Sequence, residues 1–157
     1  MAHLSYRDPV SPKNAPIAGL RLRRGNGSGS SHINAYFECF NQGRFYEAHD
    51  VLEQLWLPQR TRPGAKFYKG LIQLAAAFVH LQRHCAKYPR LHPAAALFQL
   101  ARANLVPFQP RHAGLELASV LALIDEWQAQ LAAHDFKINP WTPARSPQLP
   151  PRRPEHS

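Results

Sequence analysis

The chain has 157 residues, a formal net charge of +9 with histidine neutral, and 45% hydrophobic residues, which suits one domain with a packed core and excludes full disorder. No apolar run approaches the roughly 20 residues that span a bilayer, so no membrane association is expected. No short apolar stretch follows a basic N-terminal cluster, so a secretory signal is not expected either. The two cysteines, Cys39 and Cys85, are too few for a disulfide scaffold and read as reduced thiols of a cytoplasmic protein.

Charge and proline are concentrated at the ends. Residues 1–30 hold five Lys or Arg against one Asp, including Arg21, Arg23 and Arg24, followed by the linker-like Gly25-Asn26-Gly27-Ser28-Gly29-Ser30. Residues 137–157 hold six prolines and four Lys or Arg against one Glu. The middle, 31–136, is near neutral, with ten Lys or Arg and eight acids. This predicts a flexible basic tail over 1–30, a folded domain over 31–136 and a flexible Pro-rich tail over 137–157, with residues around Trp141 packing back on the fold.

Five helices are predicted in the middle. Ser31 caps the first, where Ile33, Tyr36, Phe37 and Phe40 recur at helical spacing. Gly43 ends it. The second runs from Arg44 until Pro58. The third covers Lys66 to His84 and is apolar around most of its circumference, as a central helix should be. Pro93 fits the first turn of the fourth, which ends near Val106. The fifth runs from Gly114 to Ala133, with Leu117, Val120, Leu121, Ile124, Trp127 and Leu131 in one stripe. No alternating strand pattern is found. Short connections favour antiparallel neighbours, hence an all-α, compact, up-and-down bundle of about five helices with flexible basic tails.

Residues with chemical potential concentrate on the second and third helices. On a helical wheel, Phe45, Ala48, Val51, Leu52, Leu55 and Trp56 share an apolar arc. Asp50 and Gln54 point away from it and read as solvated. His49 and Glu53, four apart, lie one above the other at one border of the arc, and Glu47 lies at the other. A His and a carboxylate at this spacing can chelate a divalent metal or hydrogen-bond each other. The third helix interrupts its apolar surface with Lys69, Gln73, His80 and His84, beside the small residues Gly70 and Ala77. Face-to-face packing of the two helices would bring His49, Glu53, Gln73 and His80 together. Two imidazoles and a carboxylate form a known catalytic metal set.

The stretch Phe40-Asn41-Gln42-Gly43-Arg44-Phe45-Tyr46-Glu47-Ala48-His49-Asp50-Val51-Leu52-Glu53-Gln54-Leu55-Trp56 resembles the first signature of the domain of unknown function 309 (DUF309) family. That pattern is Phe-Asn, a short gap, then Glu-Ala-His-Glu-x-x-Glu-x-x-Trp. Phe67 to His80 resembles its second signature. The resemblance covers roughly residues 33–135. It implies an all-helical bundle with Glu47, His49, Glu53, Trp56, Gly70, Gln73 and His80 as signature positions, and it implies no established activity. Asp50 stands where the family usually has Glu. The stretch from His84 to Pro93 replaces a short Gly-Asn turn.

Two functional classes follow. In the first, His49, Glu53 and His80 are catalytic or metal-ligating, Glu47, Trp56 and Gln73 contact a ligand, and a divalent metal activates water in a hydrolase-like reaction. In the second, the cluster is a structural hydrogen-bond network of a non-enzymatic scaffold, whose apolar surface meets a partner or a second copy in a homo-oligomer. Nucleic-acid contact by the basic tails would be non-specific and salt-dependent, because the near-neutral middle is expected to lack a basic face or a recognition helix; a solubilising, disordered charge run is the favoured reading of these tails.

Overall fold

Phe78 stands at the centre of the fold. It touches one aromatic ring from each of the other four long helices: Phe40, Phe45, Phe98 and Trp127, with ring centroids 5.5, 5.0, 5.1 and 5.0 Å away. The computed structural model describes residues 28–153. The expectation of a flexible basic tail over 1–30 therefore lies outside the described residues, except that Ser28–Ser30 already belong to the first helix.

The helices are α1 (Ser28–Asn41), α2 (Phe45–Trp56), α3 (Ala65–Arg83), α4 (Leu91–Leu105) and α5 (Leu117–Ala133). The bundle is all-α, as the periodicity predicts. The apolar positions expected to point inward on α1 and α5 are all buried. Between α1 and α2 the chain reverses at Gly43, whose φ of 75° is the left-handed conformation that glycine adopts without a Cβ clash. The Gly43 and Arg44 amides donate back to the Phe40 and Cys39 carbonyls at 2.9 and 2.8 Å. Gln82 Nε2, near the end of α3, donates to the Gly43 carbonyl at 2.7 Å and ties this turn to the central helix.

Successive helices pack in order, and α3 is covered on several sides. Tyr36 of α1 is fully buried and donates its hydroxyl to the Leu71 carbonyl of α3 at 2.6 Å. Burial holds that phenol well above its usual pKa, so it remains a donor. Gly70 lets α4 approach α3 closely: a Cβ there would stand 2.7 Å from Leu105 Cγ.

Two features depart from the predicted elements. A two-residue hairpin, β1 (Arg111–His112) and β2 (Leu115–Glu116), precedes α5. Its loop residues Ala113 and Gly114 both have positive φ, 51° and 75°, the pattern of a type I′ turn. The strands are too short to show alternation.

The second departure is at the C-terminus, where composition predicts a flexible tail from residue 137. Instead residues 139–153 form a strap along the bundle. Asn139 Nδ2 donates to the Leu81 carbonyl at 2.7 Å. The Leu149 amide donates to Asn41 Oδ1 at 2.8 Å, and Leu149 is buried. Arg152 reaches Asn34 Oδ1 at 2.7 Å, and the Arg153 amide donates to the Gly114 carbonyl at 2.9 Å. Trp141 packs half-buried against the core. Proline restricts the unfolded chain, so ordering such a segment costs less entropy than its irregular appearance implies. A few anchors, set by side-chain-to-backbone hydrogen bonds, are then enough to hold it.

Candidate functional site

Helix α2 is half-buried, and its buried face is set by Phe45, Ala48, Val51 and Leu52. Leu55 and Trp56, placed on the same arc, are only partly buried because α2 ends there at the molecular surface. His49 sits beside the buried face with its side chain 28% exposed. Its Nδ1 atom is shielded from solvent and makes no hydrogen bond. The nearest carboxylate oxygens are Asp50 Oδ1 at 3.5 Å and Glu53 Oε2 at 3.6 Å. Both separations are too long for good hydrogen bonds.

His49, Asp50 and Glu53 thus present one nitrogen and two carboxylate oxygens, all within 4.8 Å of one another. One nitrogen and two hard oxygens from a single helical turn form a donor set suited to a divalent cation, with room for water or substrate at the remaining positions. Sequence periodicity placed Asp50 on the solvated side; the structure puts it in the cluster. The wheel gives the Cα direction, while the Asp50 side chain reaches back toward the neighbouring imidazole. An acid directly after the histidine was the available signal.

Tyr46 is a further neighbour that sequence reasoning passed over. Its ring lies 6.3 Å from the His49 ring at an interplanar angle of 18°, and the Arg83 guanidinium lies over the Tyr46 ring, 5.1 Å from its centroid. At the opposite end of α2, Lys69 Nζ lies 6.0 Å from the Trp56 ring. These two contacts fix α2 and α3 as antiparallel neighbours.

The remaining expected site residues have other partners. Gln73 accepts a hydrogen bond from Asn104 Nδ2 of α4 at 2.7 Å. The small residue that admits a close neighbour, Gly70, admits α4, and Gln73 lies one turn further along. His80 Nδ1 lies 3.5 Å from Arg90 Nη1, and the Arg90 amide donates to His84 Nδ1 at 2.9 Å. The two histidines and Arg90 thereby organise the connection that replaces the Gly-Asn turn. Burial, and then the charges of Arg90 and Arg83, lower the His80 pKa and favour its neutral form. Among the described residues, the group able to hold a metal consists of His49, Asp50 and Glu53, without His80. Glu47 lies away from it, 3.9 Å from Arg44 Nε. A separate cavity of about 600 Å³ opens between α5 and the strap, with Trp127, His134 and Arg145 in its lining, and contains none of these residues.

No described helix is long and apolar enough to cross a membrane. Neither curated proteins nor solved structures match the chain. The family model described as domain of unknown function (DUF309) matches residues 33–88, which run from α1 through α3 and into the connection after it. The matched segment stops short of the extent, to about residue 135, that the resemblance suggested. It contains both signatures and the His49–Asp50–Glu53 cluster, so the likeness to DUF309 rests on this segment.

Proposed function

We propose that His49, Asp50 and Glu53 bind a divalent cation and that the protein is a metal-dependent enzyme of hydrolase-like type. The observation that carries this reading is the donor set: three ligand atoms within 4.8 Å, with His49 Nδ1 shielded from solvent and unsatisfied. A cation there would complete the imidazole's bonding and neutralise the two neighbouring carboxylates. A metal of this kind lowers the pKa of bound water toward neutrality and supplies a nucleophile. The partial exposure of all three side chains leaves the open positions such chemistry needs. Two cysteines without a disulfide agree with a reducing, cytoplasmic setting.

The test is elemental analysis of protein purified without chelator or affinity histidines, alongside His49→Ala and Glu53→Gln variants. Near-stoichiometric zinc, manganese or iron that is lost in both variants is expected. A metal-free protein that also fails to take up added Zn²⁺ or Mn²⁺ overturns the reading.

A second reading has its own support. Gln73–Asn104 and His80–Arg90 link α3 to α4 and to its lead-in, as a structural network would. In that case the protein is a non-enzymatic scaffold. Loss of melting temperature on Gln73→Ala and His80→Ala, with no metal bound, would identify it.

A further inference from the structure

From Gln54 to Leu115 the chain contains no Asp or Glu and nine Lys or Arg. The near-neutral charge of residues 31–136 conceals this segregation, and the expectation that the folded part lacks a basic face does not hold. Two of the nine are matched by acids from α5 and the hairpin: Arg102 pairs with Asp125, and Arg111 with Glu116, each at 2.8 Å. Arg60, Arg62 and Lys66 are exposed, and no described carboxylate pairs with them.

These three cations lie at one end of the bundle. The loop carrying Arg60 and Arg62 joins the end of α2 to the start of α3, and Lys66 is in the first turn of α3. Phe67, the next residue, packs its ring 4.5 Å from His112 of the hairpin. The hairpin in turn receives the end of the strap through the Arg153 amide, so exposed Arg153 joins the same end. Lys69 follows one turn along α3, over Trp56. The α3 N-terminus has no acid in its first turn and carries Lys66 there instead. The helix dipole favours a carboxylate at that position, so the lysine works against local stability. Local rules are broken in this way at functional positions.

We propose that this end of the bundle binds the sugar-phosphate backbone of a single-stranded nucleic acid without sequence preference, through Arg60, Arg62, Lys66, Lys69 and Arg153. The cations come from a loop, a helix turn and the strap end, and such separated points match a chain of phosphates. A bilayer surface would need an apolar anchor beside the charges. Here the α3 apolar face is buried, and the exposed Leu57 and Val106 are two side chains, too few for such an anchor.

The experiment is fluorescence anisotropy of the full chain with a labelled 20-nucleotide oligo(U) between 50 and 200 mM salt, with a phosphatidylserine vesicle sedimentation arm. Wild type is expected to bind at low salt and to weaken steeply as salt rises. The Arg60→Ala/Arg62→Ala/Lys66→Ala variant should bind at least tenfold more weakly, with a log–log salt slope smaller by about two. Its melting temperature should not fall, because the three side chains are exposed. If it melts early, Lys69→Ala/Arg153→Ala reads the same surface, with a slope smaller by about one. Wild-type affinity in these variants, with loss only in Arg21→Ala/Arg23→Ala/Arg24→Ala, would overturn the proposal. So would binding to vesicles alone, or no oligonucleotide binding at 50 mM salt.

Discussion

Asn104 of α4 donates its side-chain amide to Gln73 Oε1 of α3 at 2.7 Å, and this bond ties Gln73 of the central helix to α4. Both side chains are partly buried, so each amide partly depends on the other for its hydrogen bonding. Replacing either Gln73 or Asn104 with Ala should lower stability by about 1 kcal/mol, and the double variant should lose less than the sum. A double-mutant cycle from urea melts measures the coupling. Additive losses would mean that the two amides do not support each other.

Gly70 sits where α3 and α4 come closest. Alanine there would bring its Cβ to 2.7 and 2.9 Å from the Leu105 side chain and 3.2 Å from Asn104 Cβ. Leu105 is fully buried and has little room to yield. Gly70→Ala should therefore destabilise by about 1–3 kcal/mol through overpacking, despite the better helix propensity of alanine. Thermal or chemical unfolding gives the sign; a stabilised variant would show that α4 shifts freely.

Acid should weaken the fold through His80. Its folded-state pKa lies below the ordinary value of about 6.5, because burial and the Arg90 and Arg83 charges disfavour the imidazolium. As pH falls through about 6.5, the unfolded chain takes up the proton first, so stability declines. The decline ends once the pH is below the folded pKa as well. Melting temperatures from pH 7.5 to 5 should fall less steeply in His80→Gln than in wild type. Equal slopes would remove His80 as the cause.

The strap depends on Gly114. Its φ of 75° and the closeness of the Arg153 carbonyl leave no space for a Cβ. Gly114→Ala should release the last residues of the strap and open a protease site after Arg152. Limited trypsin digestion followed by mass spectrometry would detect the cut. Resistance equal to wild type would show that the strap is held mainly at Asn41 and Asn139.

Long, strongly periodic segments were legible from sequence because burial follows the helical repeat. The inward positions of α1 and α5, the stop at Gly43 and the central place of α3 all follow from it. Which faces meet was not legible. Gly70 marks a close approach without naming the approaching helix, so Gln73 was expected opposite α2 and lies against α4 instead. Asp50 was misplaced because its Cα direction does not give its side-chain reach. The strap was read as a tail because composition averages over anchors such as Leu149, whose Asn41 partner is 108 residues away. The basic end was missed for a related reason: net charge carries no positional information.

Histidine ring resonances provide the most direct test of the metal site. Long-range ¹H–¹⁵N spectra recorded during Zn²⁺ titration should show a large, saturable shift at His49 with a one-to-one endpoint, and none at His80 or His84. Asp50→Asn and Glu53→Gln should each weaken that response at least tenfold. If His49 stays unchanged while another histidine responds, or if the carboxylate variants titrate like wild type, the assignment of His49, Asp50 and Glu53 as a metal centre is wrong.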